Sequence, residues 1–293
     1  MAAMPVAKAN GIDVCYEAFG EAADPTVLLV AGLGSQMISL APELCAGIAG
    51  RGFHVVRFDN RDTGRSSRID EPVDVLAAMR AAGSGEAPQV PYLLSDMAAD
   101  AVGLLDHLGV DRAHLAGVSM GGMIAQTMAV EHPHRVRTLT SIMSTTGDPD
   151  VGTPSGEARA ALFGPAARTR DDYRAAAVRN AGIWGSPGLY DEHRVRAIAG
   201  EAWDRGYDPR GTARQMAAVF ASGSRSAALA RIDVPTLVIH GTADTLVHPS
   251  GGERTAEVVP RARLLLVEGM GHDLAPPLWP RLIDALTEHA ARH

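Results

Sequence analysis

The alternation of two local patterns constrains the fold of this chain more than any other feature. Short, apolar, β-branched runs stand between segments of helical periodicity, the arrangement of a mostly parallel sheet covered by helices on both faces. The clearest runs are Thr26–Val30, His54–Phe58, Ala113–Gly117, Val136–Met143, Thr236–Gly241 and Arg263–Val267. Ahead of them Asp13–Phe19 alternates in polarity and is expected to form an antiparallel edge strand. Among the helices, Ser95 is expected to open one with Asp96 in its first turn. Its apolar positions Met97, Val102, Leu104, Leu105 and Leu108 recur at helical spacing until Gly109 ends it.

The alternation stops over residues 145–228. That stretch reads instead as short helices, roughly Glu157–Phe163, Arg170–Ala181, Asp191–Asp204 and Arg210–Ala221, parted by turns such as Gly185-Ser186-Pro187-Gly188. The economical organisation is an α/β core in two parts, residues 1–144 and 229–293, with a helical cap, 145–228, inserted between them. A second irregular stretch, Ile69–Pro91, is expected to be a long loop holding one helix, Val73–Ala82.

Chemistry concentrates where the strand Ala113–Gly117 meets the next helical run. Gly117-Val118-Ser119-Met120-Gly121 is a G-x-S-x-G sequence in strand, turn, helix context. A serine in so tight a turn takes a left-handed backbone, and side chains at Gly117 or Gly121 would collide with neighbouring backbone. Ser119 is thereby held at a helix N-terminus, where N–H groups and the dipole favour a developing anion. A serine hydroxyl is inert unless a base takes its proton and a third group holds that base. Downstream, Asp244 stands in the loop beyond Thr236–Gly241, and His272 in the loop beyond Arg263–Val267. Asp148, beyond Val136–Met143, is the rival acid, whereas Asp273 is expected to point away from the imidazole.

With Ser119, Asp244 and His272 in that order, the sequence resembles the α/β-hydrolase family, specifically its capped serine esterases, and looks most like the aclacinomycin methylesterase group. The matching segments are Val30-Ala31-Gly32-Leu33-Gly34-Ser35, Arg57 to Ser66, Gly117 to Gly122, the Asp244 loop and Gly271-His272; the cap matches only in being helical. The resemblance implies Ser119 as nucleophile, His272 as general base and then acid, and Asp244 as the group that fixes the imidazole tautomer. It also implies an oxyanion hole built from the backbone N–H groups of Met120 and Leu33, each stabilising the oxyanion by roughly 3 kcal/mol. The chain departs from many members in carrying Ala31-Gly32 where they have His-Gly, which leaves backbone donors unaffected. A serine rather than a carboxylate at position 119 sets it apart from haloalkane dehalogenases and epoxide hydrolases.

The expected reaction is cleavage of a carboxylic ester, in the specific form implied by the resemblance a methyl ester of a bulky, mainly apolar acid. The same triad also serves cofactor-free perhydrolases and haloperoxidases, and a small-molecule receptor that keeps the scaffold is a third reading. Met123, Trp184, Met143 and Met37 are the candidate pocket residues. The charged Asp59–Ser66 loop is expected to be an internally salt-bridged turn. No metal is expected, because the histidines show no H-E-x-x-H or related spacing, and no cofactor, because Gly32-Leu33-Gly34 lacks the third glycine of a dinucleotide fingerprint.

Composition sets the partners. Of 293 residues, 27 are Lys or Arg and 34 Asp or Glu, a net charge of −7, with no basic cluster to meet nucleic acid or a membrane surface. A small-molecule ester is the expected partner, with a homodimer as the further possibility. Cys15 and Cys45 sit in no metal or redox spacing and are expected to be buried free thiols. With no apolar N-terminal leader and no stretch near the roughly 18 apolar residues of a membrane span, a cytoplasmic location is expected.

Overall fold

A computed structural model describes residues 4–293. Among these residues the chain forms strands β1 (Val6–Ala9), β2 (Ile12–Phe19), β3 (Thr26–Val30), β4 (His54–Phe58), β5 (Ala113–Val118), β6 (Val136–Ile142), β7 (Thr236–Gly241) and β8 (Arg263–Val267). The helices of the first half are α1 (Pro42–Ala49), α2 (Val75–Ser84), α3 (Leu94–His107) and α4 (Met120–Glu131). Between β6 and β7 lie α5 (Gly156–Leu162), α6 (Arg170–Trp184), α7 (Glu192–Gly206), α8 (Pro209–Ser222) and α9 (Ser226–Leu229). The chain ends with α10 (Ser250–Val258) and α11 (Trp279–Ala291).

One sheet takes all eight strands in the order β1-β2-β4-β3-β5-β6-β7-β8, parallel from β4 to β8. The interior strands β3, β4 and β7 are buried at every position, which is why their sequences are unbroken apolar runs rather than alternating ones. One face is covered by α3 and α4, through Met97, Leu104, Leu105, Ile124 and Met128. The other is covered by α1 and α11, through Leu44, Ile48, Leu282 and Leu286.

Two expectations need correction. Ile12–Phe19 is antiparallel but not an edge: β1 pairs outside it through a two-residue turn, Asn10 (φ 47) and Gly11 (φ 79), the type I′ geometry that Asn-Gly favours. Ser95 does not cap α3; the helix begins one residue earlier, where the Asp96 carboxylate accepts from Leu93 N at 2.8 Å, and the Ser95 hydroxyl donates to Glu131 instead.

The Asp59–Ser66 loop also departs from expectation, because its charges pair outward. Asp59, with no exposed surface, accepts from Arg205 Nη2 of α7 at 2.5 Å. Asp62, equally buried, receives both Nε (2.9 Å) and Nη2 (2.8 Å) of Arg214 in α8, and the Tyr92 hydroxyl at 2.6 Å. Arg61 makes a two-pronged pair with Asp100 of α3 at 2.7 Å per bond. Two of the three pairs therefore seat the helical segment on the sheet. Cys15 and Cys45 are both free and buried, and burial pushes the Cys45 thiol up to about 12.

Removing one partner of such a pair strands the other charge in the interior, which costs about 3–5 kcal/mol. Asp62→Ala and Arg214→Leu should each lower the urea-unfolding free energy by about that amount, and the double variant by clearly less than the sum. A second prediction concerns acid. Burial holds the imidazoles of His114 and His289 down to about 4, against 6.5 for a free imidazole. From pH 6.5 down to 4 the unfolded chain therefore takes up protons that the folded chain refuses, so stability falls as pH falls, by up to about 3 kcal/mol per imidazole, and this imidazole contribution levels off below 4. Thermal unfolding followed from pH 7 to 4 should show this decline, and a His114→Gln, His289→Gln variant should flatten it.

Candidate active site

Ser119 is the single residue between β5 and α4, with φ 57 and ψ −122. Both sides of this strained residue are tied to the end of β6: Ser119 N donates to Ile142 O and Ser144 Oγ donates to Ser119 O, each at 2.8 Å. The turn needs its two glycines for room. A Cβ on Gly117 would run into the carbonyl oxygen of Gly121, and a Cβ on Gly121 into that of Val30. The close approach sets Ser119 at the carboxyl ends of β3 and β5, where the chain order of the sheet reverses and crevices form in open α/β sheets.

Asp244 lies in the loop after β7, fully held. Its Oδ1 accepts from Leu246 N and Val247 N at 2.9 Å each, and its Oδ2 is 2.6 Å from His272 Nδ1. Burial opposes the charged carboxylate, but the facing His272, the His240 and His272 hydrogen bonds and the Val247 N–H together outweigh it and hold the acid below the usual carboxylate range. An ionised carboxylate only accepts, so the His272 proton sits on Nδ1 and the Nε2 lone pair is free. Such an imidazole can take a proton from a hydroxyl. Asp148 is not in this arrangement: its carboxylate is taken up by Ser224, Ser226 and Arg254. Its hydrogen bonds, working against partial burial, lower it to about 2.

Ser119 and His272 line one cavity of about 650 Å³, together with Leu33 and Met120. The backbone before Leu33 passes close to the serine, so that a Cβ on Gly32 would lie 3.3 Å from Ser119 Cβ. Of the expected pocket residues, Met123, Met143 and Trp184 line the cavity, joined by Met79, Met216 and Phe220. Met37 does not. Its N–H donates to Asp59 at 2.8 Å, which turns the side chain into a buried cluster with Cys15, Ile38 and Ala202. Among the described residues no three His, Cys, Asp or Glu side chains gather as a metal site.

Sequence reasoning passed over three supporting residues. His240, inside β7, places Nε2 2.8 Å from Val247 O and 3.4 Å from Asp244 Oδ2, so it braces the acid loop. Gln215 of α8, wholly buried, accepts from Gly34 N at 2.8 Å and donates to Arg61 O at 2.7 Å, holding the loop that contains Leu33. Ser144 grips the Ser119 carbonyl. His240 carried a signal, a histidine within an otherwise apolar strand; Gln215 carried none, because its partner is 181 residues away.

The profile of the alpha/beta hydrolase fold family matches residues 25–275. The chain belongs to the α/β-hydrolase family. This hydrolase is 29% identical to the rhodomycin D methylesterase DauP of a Streptomyces species, over 93% of each chain. It superposes on the enol-lactonase from Burkholderia xenovorans with a TM-score of 0.71 and 26% identity, covering 98% of each chain. The meta-cleavage product hydrolase CumD from Pseudomonas fluorescens, at 19% identity, shares the fold with a TM-score of 0.78 over 98% of the hydrolase and 97% of CumD. No helix among the described residues is long and apolar enough to cross a membrane.

Proposed function

We propose that the protein is a serine hydrolase that cleaves a carboxylic ester through an acyl-enzyme. The observation that carries this reading is the 2.6 Å contact of His272 Nδ1 with the buried Asp244, made where His272 shares a cavity with Ser119 on its strained turn. Ser119 Oγ attacks the ester carbonyl while its proton passes to His272 Nε2. The carbonyl oxygen becomes an oxyanion that the N–H groups of Met120 and Leu33 stabilise, and Asp244 stabilises the imidazolium. Collapse breaks the bond to the alkoxy group, which leaves as the alcohol with the proton from His272. A water then gives a proton to His272 and attacks the acyl carbon, and the second tetrahedral intermediate breaks its bond to Ser119 Oγ, which takes that proton back from His272 as the acid leaves.

Helices α5 to α8 act as the cap over this site, seated by Arg205 and Arg214. The substrate class follows from wall and relatives together. Five methionines, a tryptophan and two phenylalanines suit a bulky apolar acyl group. The similarity to a methylesterase over nearly the whole chain supports a methyl ester as the bond cleaved.

The test is hydrolysis of p-nitrophenyl esters of rising acyl length and of methyl esters of bulky ring-containing acids. Wild type should turn over repeatedly, with the bulky methyl esters preferred. Ser119→Ala should lose kcat by on the order of 10⁴-fold or more, and Asp244→Asn, which leaves the imidazole in the wrong tautomer, by about 10⁴-fold. Retention of turnover in Ser119→Ala would remove the serine mechanism.

A further inference from the structure

The loop that bears His272 is fastened to the end of α6 by three consecutive residues. Gly271 N donates to Ser186 Oγ at 2.9 Å, and His272 N donates to Trp184 O at 2.5 Å. The Asp273 carboxylate accepts from Ser186 N at 3.1 Å and from the Ser186 hydroxyl. The acid loop is tied to the same place, since Thr245 Oγ1 donates to Ile183 O at 2.9 Å. The two segments touch backbone to backbone: a Cβ on Gly271 would collide with Gly185. Ser186 has no exposed surface, and its single hydroxyl serves twice, as acceptor from Gly271 and donor to Asp273. The helix itself does not require this, because α6 closes on its own with Gly185 N on Ala181 O.

Resting on the serine-hydrolase reading above, we propose that Ser186, gripping Asp273, is a positioning residue for His272, so that the end of α6 sets where the base stands. Asp244 fixes the ring through one nitrogen, which leaves the imidazole free to swing about that bond unless its backbone is held. The hold comes from Trp184 and Ser186, outside the sheet. The Trp184 side chain lines the cavity while its carbonyl anchors the base. An acyl group seated against Trp184 therefore presses on the element that aligns His272. A well-fitting acyl group gains in turnover rather than in binding, since a base held within reach of the serine matters most in the transition state.

Three variants test this: Ser186→Ala, Asp273→Ala and Asp273→Asn, each with hydrogen exchange of the 269–274 amides and steady-state hydrolysis of the best ester found for wild type. Ser186→Ala and Asp273→Ala should each speed exchange in that segment, and should lower kcat by about tenfold to a hundredfold with KM within about twofold. Their double variant should be little worse than either single one. Asp273→Asn keeps the acceptor for Ser186 and should recover most of what Asp273→Ala loses, which separates an anchor from a charge acting on the imidazole. Should Ser186→Ala not fold, the two Asp273 variants decide alone. Unchanged exchange, or unchanged kcat in an active enzyme, would overturn the positioning role. Faster exchange in the alanine variants of a wild type that turns over no ester would support the anchor and sink the esterase reading instead.

Discussion

Two carboxylates with no exposed surface, Asp59 and Asp62, join the helices between β6 and β7 to the sheet. Burying a charge costs several kcal/mol unless it is paired and hydrogen-bonded, so each position is tenable only with its arginine in place. Asp59 also accepts from Met37 N and Arg65 N, and Asp62 from Ile69 N, so the same pairs order the loops around them. An apolar contact of equal area would allow the helices to slide. The bidentate Arg214–Asp62 pair fixes direction as well as distance.

The polar seating extends to the site from two sides. Gln215 of α8 holds the loop containing Leu33, and the end of α6 holds the loop containing His272. The cavity between them is walled by side chains from both parts of the chain, among them Met123 and Met143 from the sheet side and Trp184, Met216 and Phe220 from the helices. In the proposed reaction the helical segment is then part of the catalytic geometry and not only a cover.

The interior parallel strands were legible because they are almost wholly buried and read as short apolar runs, and β8 was legible from its apolar run alone, since most of its positions are exposed. The Ser119 turn was legible because its glycines answer a local steric demand. Asp244 and His272 were legible because both follow such strands in chain order. The edge hairpin was missed although Asn10-Gly11 marks it, since the β1 segment is only four residues long. Met37 was misplaced because sequence does not show which way a side chain turns when its backbone is claimed by a carboxylate 22 residues away. The outward pairing of Asp59 and Asp62 was invisible for a related reason: their partners stand 146 and 152 residues downstream, and local charge pattern favoured the nearer arginines.

The methionine-rich wall has a consequence for how the protein can change over generations. Unbranched thioether chains re-pack around unlike ring shapes at little cost, whereas the atoms around the serine are fixed by backbone hydrogen bonds and glycine contacts. Drift in the wall can thus broaden or redirect what the cavity accepts while the strained serine turn stays intact. Met79, half-buried where the other methionines of the wall are buried, is the one open to conversion into a polar sulfoxide, which would make that part of the wall polar.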